Sequence, residues 1–294
     1  MLTQVPPHSV PPGPAAVRWH AYELPPLRAG CKSVGRVELE NAGSATWRSR
    51  PGTDIHLSYH WLDLRGNVIA WAGPFVLLPE RVHPGERFEV AVPVRAPMPP
   101  GRYRLAFDLV DVGRFWFAEV GNTRLELDVD VIPRLPERTL AVRIAEGPPE
   151  HVATTRAALA RLLEPVQEAG AATAFLAPGC RPAPDWSRRI LDAHEEGFAA
   201  VAGSVGVDGR FAGRRLGATL RPWRPGFGRS PGWKQPLLCP SLVAELVNEA
   251  PWTTPIAGLP ALQPAELEEP WLCDGRIQVV VAPRALRRDD RRRA

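Results

Sequence analysis

From residue 30 to residue 131 apolar and polar side chains alternate with a period of two, which commits this part of the chain to paired strands. Val37 and Leu39 alternate with charged neighbours. So do Ile55, Leu57, Tyr59 and Trp61; Phe88, Val90, Val92 and Val94; Tyr103, Leu105, Phe107 and Leu109; and Leu125, Leu127, Val129 and Val131. Each run offers one apolar face. Turn-forming residues stand between the runs at 41–44, 51–52, 65–67, 83–85 and 99–101, the spacing of an all-β sandwich. The pattern predicts about seven or eight short antiparallel strands in two sheets.

This region is also heavily loaded with tryptophan. Trp47 follows the first turn, Trp61 is in phase with the inward residues of its run, and Trp71 and Trp116 lie on two further runs. Large rings can fill the core of a sandwich that has no disulfide, or form an aromatic surface that stacks a sugar ring or docks a peptide. Both uses stay open, and all four residues are binding candidates. His56 and His60, four apart on one run, face the side opposite Trp61 and read as solvent-facing, since no third ligand has matching spacing.

The ordered set Asn41-Ala42-Gly43-Ser44-Ala45-Thr46-Trp47, Leu57-Ser58-Tyr59-His60-Trp61, Pro84-Gly85-Glu86, Pro100-Gly101-Arg102-Tyr103 and Asp108-Leu109-Val110 through Trp116-Phe117 resembles the Ig-like four-tryptophan domain. That domain occurs in autophagy cargo receptors and as an appended module in bacterial proteins, glycan-assembly enzymes among them. The resemblance implies an Ig-like fold with a binding or spacer role, not catalysis.

Charge narrows the partners. The chain carries 36 Lys+Arg and 32 Asp+Glu, and the excess of +4 matches that of the six arginines and two aspartates at 284–294. Residues 1–133 balance, so no folded basic face is indicated and nucleic acid is not an expected partner. The Arg-rich tail reads as a solvated end, with an anionic surface as its other use. Cys31, Cys180, Cys239 and Cys273 form no C-x-x-C pair, which excludes a disulfide framework and a zinc site. The proline-rich start lacks the features of a signal peptide, and no apolar run reaches membrane-spanning length. A cytoplasmic location follows as the expectation. With two lysines against 34 arginines, the composition points to GC-rich bacterial coding.

After residues 132–137 break the alternation, the period changes. A strand at 139–145, a helix from about Pro149 to Gly170, a strand at 172–177, a helix capped by Asp185 and a strand at 198–205 follow, the order of an α/β layer. Beyond a Gly-, Arg- and Pro-rich loop at 206–236, helices are expected at 241–249 and 264–272 and a strand at 276–282.

Phe175-Leu176 at a strand end, then Cys180-Arg181-Pro182-Ala183-Pro184-Asp185-Trp186 and Ala200-Val201-Ala202-Gly203, resemble the middle of a family 2 glycosyltransferase of the GT-A fold. Asp274-Gly275-Arg276-Ile277 through Ala282-Pro283-Arg284-Ala285 is similar to its closing strand. Where that family places an aspartate-x-aspartate metal motif, this chain has Ala177-Pro178-Gly179. Only one strand-helix unit precedes the strand, where the family has two for the nucleotide base. The departures imply a degenerate, noncatalytic domain without metal or cofactor. Arg181 and Asp185 are its binding candidates, and Glu266, Glu268 and Glu269 would supply the general base if activity survived.

The expected organisation is therefore a two-domain chain. It has a Pro-rich segment (1–27), an all-β Ig-like sandwich (28–133), a linker (134–138), a small, incomplete GT-A-like α/β domain (139–285) and the Arg-rich tail (286–294). The leading functional expectation is a noncatalytic binding or scaffolding protein in bacterial glycan assembly, with a protein or glycan partner. The alternatives are a metal-independent glycosyltransferase that needs a partner and a protein-docking module unrelated to sugars.

Overall fold

The computed structural model describes residues 2–207, 237–250, 252–256, 259–262 and 267–281. The chain divides into two compact units, Met1–Ile132 and Pro133–Ala294.

The main strands of the first unit are β1 (Val17–Glu23), β2 (Lys32–Asn41), β3 (Trp47–Arg50), β4 (Thr53–Leu62), β5 (Val68–Ala70), β6 (Val76–Leu77), β7 (Arg87–Arg95), β8 (Gly101–Asp111), β9 (Phe115–Trp116) and β10 (Leu125–Ile132). They form a β-sandwich-like fold. The smaller sheet runs Thr3–Gln4, β1, β2, β7, antiparallel throughout. The larger runs Leu27–Arg28, β10, β8, β4, β3, Arg81–Val82, with β5 and β6 on β4 and β9 on β8.

Register explains the core. β4 and β8 set Leu57 opposite Leu109, Tyr59 opposite Phe107 and Trp61 opposite Leu105. These inward residues meet Val37 and Leu39 of β2 and Val90, Val92 and Val94 of β7 in one buried cluster. The runs read as apolar faces are thus the faces that pack. Two rings also tie the sheets together by hydrogen bonds: the Trp61 indole N–H donates to the Arg95 carbonyl at 2.9 Å, and the Tyr59 hydroxyl accepts from the Arg95 amide at 3.0 Å. A buried Trp or Tyr keeps a polar atom that needs a partner, and one backbone residue of β7 serves both.

The first 27 residues are more than a segment ahead of the sandwich. β1 lies within them, and its buried Trp19 donates from Nε1 to the Thr123 carbonyl at 2.7 Å. The prolines at 6–14 mask the short alternation that follows them.

The second unit corrects the fold class expected for it. Its main elements are β11 (Leu140–Ile144), α1 (Pro149–Leu159), β12 (Ala172–Leu176), β13 (Cys180–Pro182), α2 (Trp186–Glu196), β14 (Ala200–Val207), β15 (Ser241–Val243) and β16 (Trp271–Val281). They build a mixed sheet of order β11-β12-β15-β14-β16-β13, beside a small sheet of Leu237–Leu238, Leu259–Leu262 and Trp252–Ile256. The protein is mostly β, with 46% strand against 12% helix, and among the described residues no separate GT-A-like α/β domain is evident.

The α/β reading failed for identifiable reasons. Among the described residues only β11 and β12 make a parallel strand-helix-strand step; β14 and β16 are also parallel, but between β12 and β14 lies β15, antiparallel to both. An α/β layer needs helices with a wide apolar stripe. α1 fully buries only Thr155, leaves Val152 and Leu159 half-exposed and stops at Leu159. Residues 241–249, expected as a helix, form β15 and the 3-10 turn Ala244–Leu246. The final strand starts at Trp271, inside the expected helix 264–272. The described part of the loop at 206–236 ends at Val207 as strand; the remainder, like the tail, lies outside the described residues.

α2 is the well-anchored helix. It buries Trp186, Ile190, Leu191 and His194 and ends at Gly197, whose φ of 123° a side chain would resist. The His194 Nδ1–H donates to the Phe198 carbonyl at 2.7 Å, so Nε2 accepts from the Ser241 hydroxyl at 2.9 Å. Ser241 therefore ties β15 to α2. Burial holds His194 neutral, its pKa pushed down to about 4 against the pull of the Phe198 carbonyl, with the nearby Arg134 charge acting in the same direction as burial. The unfolded chain takes up this proton below its ordinary value of 6.5, whereas the folded chain resists it until about 4. Stability is full above pH 6.5 and falls with acidification through this window. Urea unfolding at pH 7 and pH 5 should show wild type losing about 2 kcal/mol more than His194→Gln on acidification.

Candidate functional site on the outer face of the larger sheet

An antiparallel sheet in a two-layer sandwich commonly leaves its outer face to water. The larger sheet does not. His56, Ser58 and His60 of β4 and Asp108 of β8 point away from the core, yet all four are at most 2% exposed. Two pieces of chain cover them: residues 71–75, which join β5 to β6, and β9 with the 3-10 turn Phe117–Val120 that follows it.

The cover is seated by backbone chemistry. The Gly73 amide donates to the Tyr59 carbonyl at 2.8 Å, and the Ser58 hydroxyl donates to the Gly73 carbonyl at 3.1 Å. A Cβ at Gly73 would stand 2.3 Å from the Tyr59 ring, so only glycine permits this approach. On the other side β9 pairs with the end of β8, setting Trp116 opposite Val110 where β10 no longer pairs.

Between the covers lies a cluster of rings. His60 sits 4.5 Å from both Trp71 and Trp116, tilted by 40° and 57°, and its Nδ1 meets the Trp71 carbonyl. Trp71 and Phe75 each meet Trp116 edge-on, at 6.0 and 6.1 Å, and Phe75 reaches His56 at 6.2 Å. Asp108 anchors the floor. Its Oδ1 accepts from the Leu109 amide at 2.8 Å, and its Oδ2 faces Arg124 Nε at 3.3 Å, the Ala118 amide at 3.4 Å and His60 Nε2 at 3.8 Å. The Arg124 guanidinium lies 5.7 Å above the Trp71 ring. Among the described residues His60 Nε2 is buried with no hydrogen-bond partner. Around this polar floor Trp71, Phe75 and Leu77 are each about half exposed (46–47%).

The structure separates the four candidate tryptophans. Trp47 and Trp61 are core residues, Trp47 packing edge-on against Phe117 at 5.5 Å, while Trp71 and Trp116 belong to the outer cluster. The histidines face away from Trp61 as expected but are buried beneath residues 71–75, not bathed in solvent. His60, Asp108, Arg124 and Phe75 were missed. A usable signal was present: Asp108 is the one charged residue in the run Leu105-Ala106-Phe107-Asp108-Leu109-Val110, and the outward positions of β4 read His-Ser-His without a lysine or glutamate.

The candidates in the second unit do not assemble into a site. Arg181 lies exposed on β13. Asp185 makes no side-chain cap; it pairs with Arg189 at 2.6 Å, which holds its carboxyl below the usual range. Glu269 accepts from the buried Arg134 at 3.3 Å, Glu268 is exposed, and Glu266 lies outside the described residues. Ala177-Pro178-Gly179 is a turn in which the Cys180 amide returns to the Ala177 carbonyl at 3.2 Å. Among the described residues no group of three or more His, Cys, Asp or Glu is placed to hold a metal.

No known protein family matches this chain, and no curated protein matches it. Among solved structures, it is similar to the PapD-like domain 7 of human CEP192 at 18% identity, over 44% of this chain and 94% of that one, with a TM-score of 0.23. The putative ApaA protein of Bordetella pertussis shows 20% identity over 42% and 99%, with a TM-score of 0.23. A family 123 glycoside hydrolase from Clostridium perfringens shows 11% identity over 46% of this chain and 27% of its own, with a TM-score of 0.23. Likeness at this level decides neither fold nor function.

The cover over the cluster depends on Gly73. Gly73→Ala should cost about 2 kcal/mol through the clash with Tyr59, read as a lowered urea midpoint, and should raise the fluorescence quenching of the displaced Trp71 by acrylamide. An unchanged midpoint would mean that residues 71–75 do not lie against β4.

Proposed function

We propose that this chain is a noncatalytic binding protein whose sandwich docks a protein partner on the Trp71, Phe75 and Leu77 rim. The carrying observation is the exposure of these residues above a buried polar floor. Large apolar side chains left at a surface mark an interaction site when they are contiguous and held in place. Here the Gly73 hydrogen bonds and the His60 stacking limit the freedom of the rim, which lowers the entropy lost on docking. The noncatalytic reading is supported in the second unit by the pairing of Glu269 with Arg134 and of Asp185 with Arg189, which engages carboxylates otherwise available for chemistry.

We further propose that the sandwich is a relative of the Ig-like four-tryptophan module, with one Trp pair in the core and the other in the docking cluster. A cytoplasmic setting belongs to the same proposal, supported by the buried thiols of Cys180, Cys239 and Cys273. Among the described residues no helix is long and apolar enough to cross a membrane. A glycan ligand, with a scaffolding role in glycan assembly, is the second reading, favoured by an exposed indole beside the donors of Arg124.

Affinity capture with the full chain, repeated with Trp71→Ala/Phe75→Ala, tests the site. Proteins retained by wild type should weaken at least tenfold in the double variant, as expected for aromatic anchors of an interface, and should persist with Val34→Ser on the smaller sheet. Equal retention by the double variant would refute this docking surface. Binding to a glycan array that depends on Trp71, without any Trp71-dependent protein, would favour the second reading.

A further inference from the structure

We propose that Asp108 is a carboxylate contested by two cations, so that protonation of His60 releases Arg124 from the Trp71 ring and resets the docking rim. This rests on the docking reading above and concerns the regulation of the same site.

The geometry supplies the competition. Asp108 Oδ1 accepts from the Leu109 amide, while Oδ2 already faces the Ala118 amide at 3.4 Å. That oxygen has Arg124 Nε at 3.3 Å and His60 Nε2 at 3.8 Å, the second too long for a hydrogen bond. With His60 neutral and its Nδ1–H directed at the Trp71 carbonyl, Nε2 carries a lone pair toward a carboxylate. Nothing holds it there, in keeping with its lack of a partner. A proton on Nε2 turns this repulsive contact into a charge-assisted hydrogen bond, shorter and stronger than a neutral one. The imidazolium would also lie beside two indoles at 4.5 Å, a favourable setting for a cation.

The same proton acts against Arg124. Two cations then converge on one oxygen, with little water between them. Asp108 and His60 are at most 1% exposed, whereas the Arg124 side chain is 23% exposed. Arg124 is the one that can leave for solvent, and in leaving it uncovers the Trp71 ring over which it now lies at 5.7 Å. The other groups around the pocket do not change this order. His56 is two positions away on the same strand face, packed on Phe75, and Glu119 accepts from the Trp116 backbone amide at 3.0 Å.

The test uses the full chain labelled with fluorotryptophan, its Trp71 signal assigned with Trp71→Phe, followed by 19F NMR from pH 8 to 5.5. Imidazole carbon shifts of His60, assigned with His60→Asn, are followed in parallel. Trp71 should move in a single-proton transition that shares its midpoint with His60, while Trp186 in the other unit stays in place. Arg124→Gln, which removes the competitor at a partly exposed position and keeps the fold, should reduce the Trp71 response at least threefold while His60 still titrates. A Trp71 signal that does not follow His60, whether because His60 takes no proton or because Arg124 does not move, overturns the proposal. So does an undiminished response in Arg124→Gln. No partner is needed for these readings, so their failure leaves the docking surface standing, and loss of the docking surface by capture leaves the switch to be judged here.

Discussion

Strand β4 cannot bury Tyr59 and Trp61 without sending Ser58 and His60 to the other side of the sheet. That alternation is the constraint on which the first unit depends. The inward residues meet Phe107 and Leu105 in register and bind both sheets through Arg95. The outward ones are polar, and once residues 71–75 and β9 close over them each needs a partner. Ser58 finds the Gly73 carbonyl, Asp108 the Leu109 amide and Arg124, and His60 the Trp71 carbonyl on one nitrogen only. The exposed aromatic rim is thus a consequence of how the far side of a core strand is covered.

The cover in turn sets what the surface can do. Trp71 and Phe75 are not loose hydrophobic residues; they stand on a bed of rings and a buried carboxylate that limits their movement. Apolar contact supplies affinity at such a rim, while the polar floor supplies geometry. The second unit contributes no comparable surface among its described residues. Its ionic contacts serve as fastenings: Arg138 gathers Glu164, Asp192 and Glu195 around one guanidinium, and Arg134 joins Glu245 and Glu269.

The sandwich was legible in the sequence because period-two alternation is a direct record of which face is buried. Leu57, Leu105, Phe107 and Leu109 needed no other information. The outer cluster was not legible, because its burial depends on residues distant in sequence folding back over β4. The local hint, His-Ser-His on β4 and a lone Asp108 on β8, marks an unusual outer face but does not say which residues cover it. The α/β expectation for the second unit failed differently. Short apolar runs serve a strand or a helix equally well, and at 241–249 the pairing of Ser241–Val243 with β12 and β14 overrode the helical reading. The GT-A-like α/β fold that the glycosyltransferase resemblance implied is not the one these strands build.

Hydroxyl-radical footprinting of the full chain, read by mass spectrometry at single residues, tests the central claim that the four tryptophans are divided between core and rim. Trp71 and Phe75 should oxidise readily, at rates several times those of Trp47 and Trp61, with Trp116 between them. Protection of Trp71 equal to that of Trp61, or rapid oxidation of Trp61, would contradict the account.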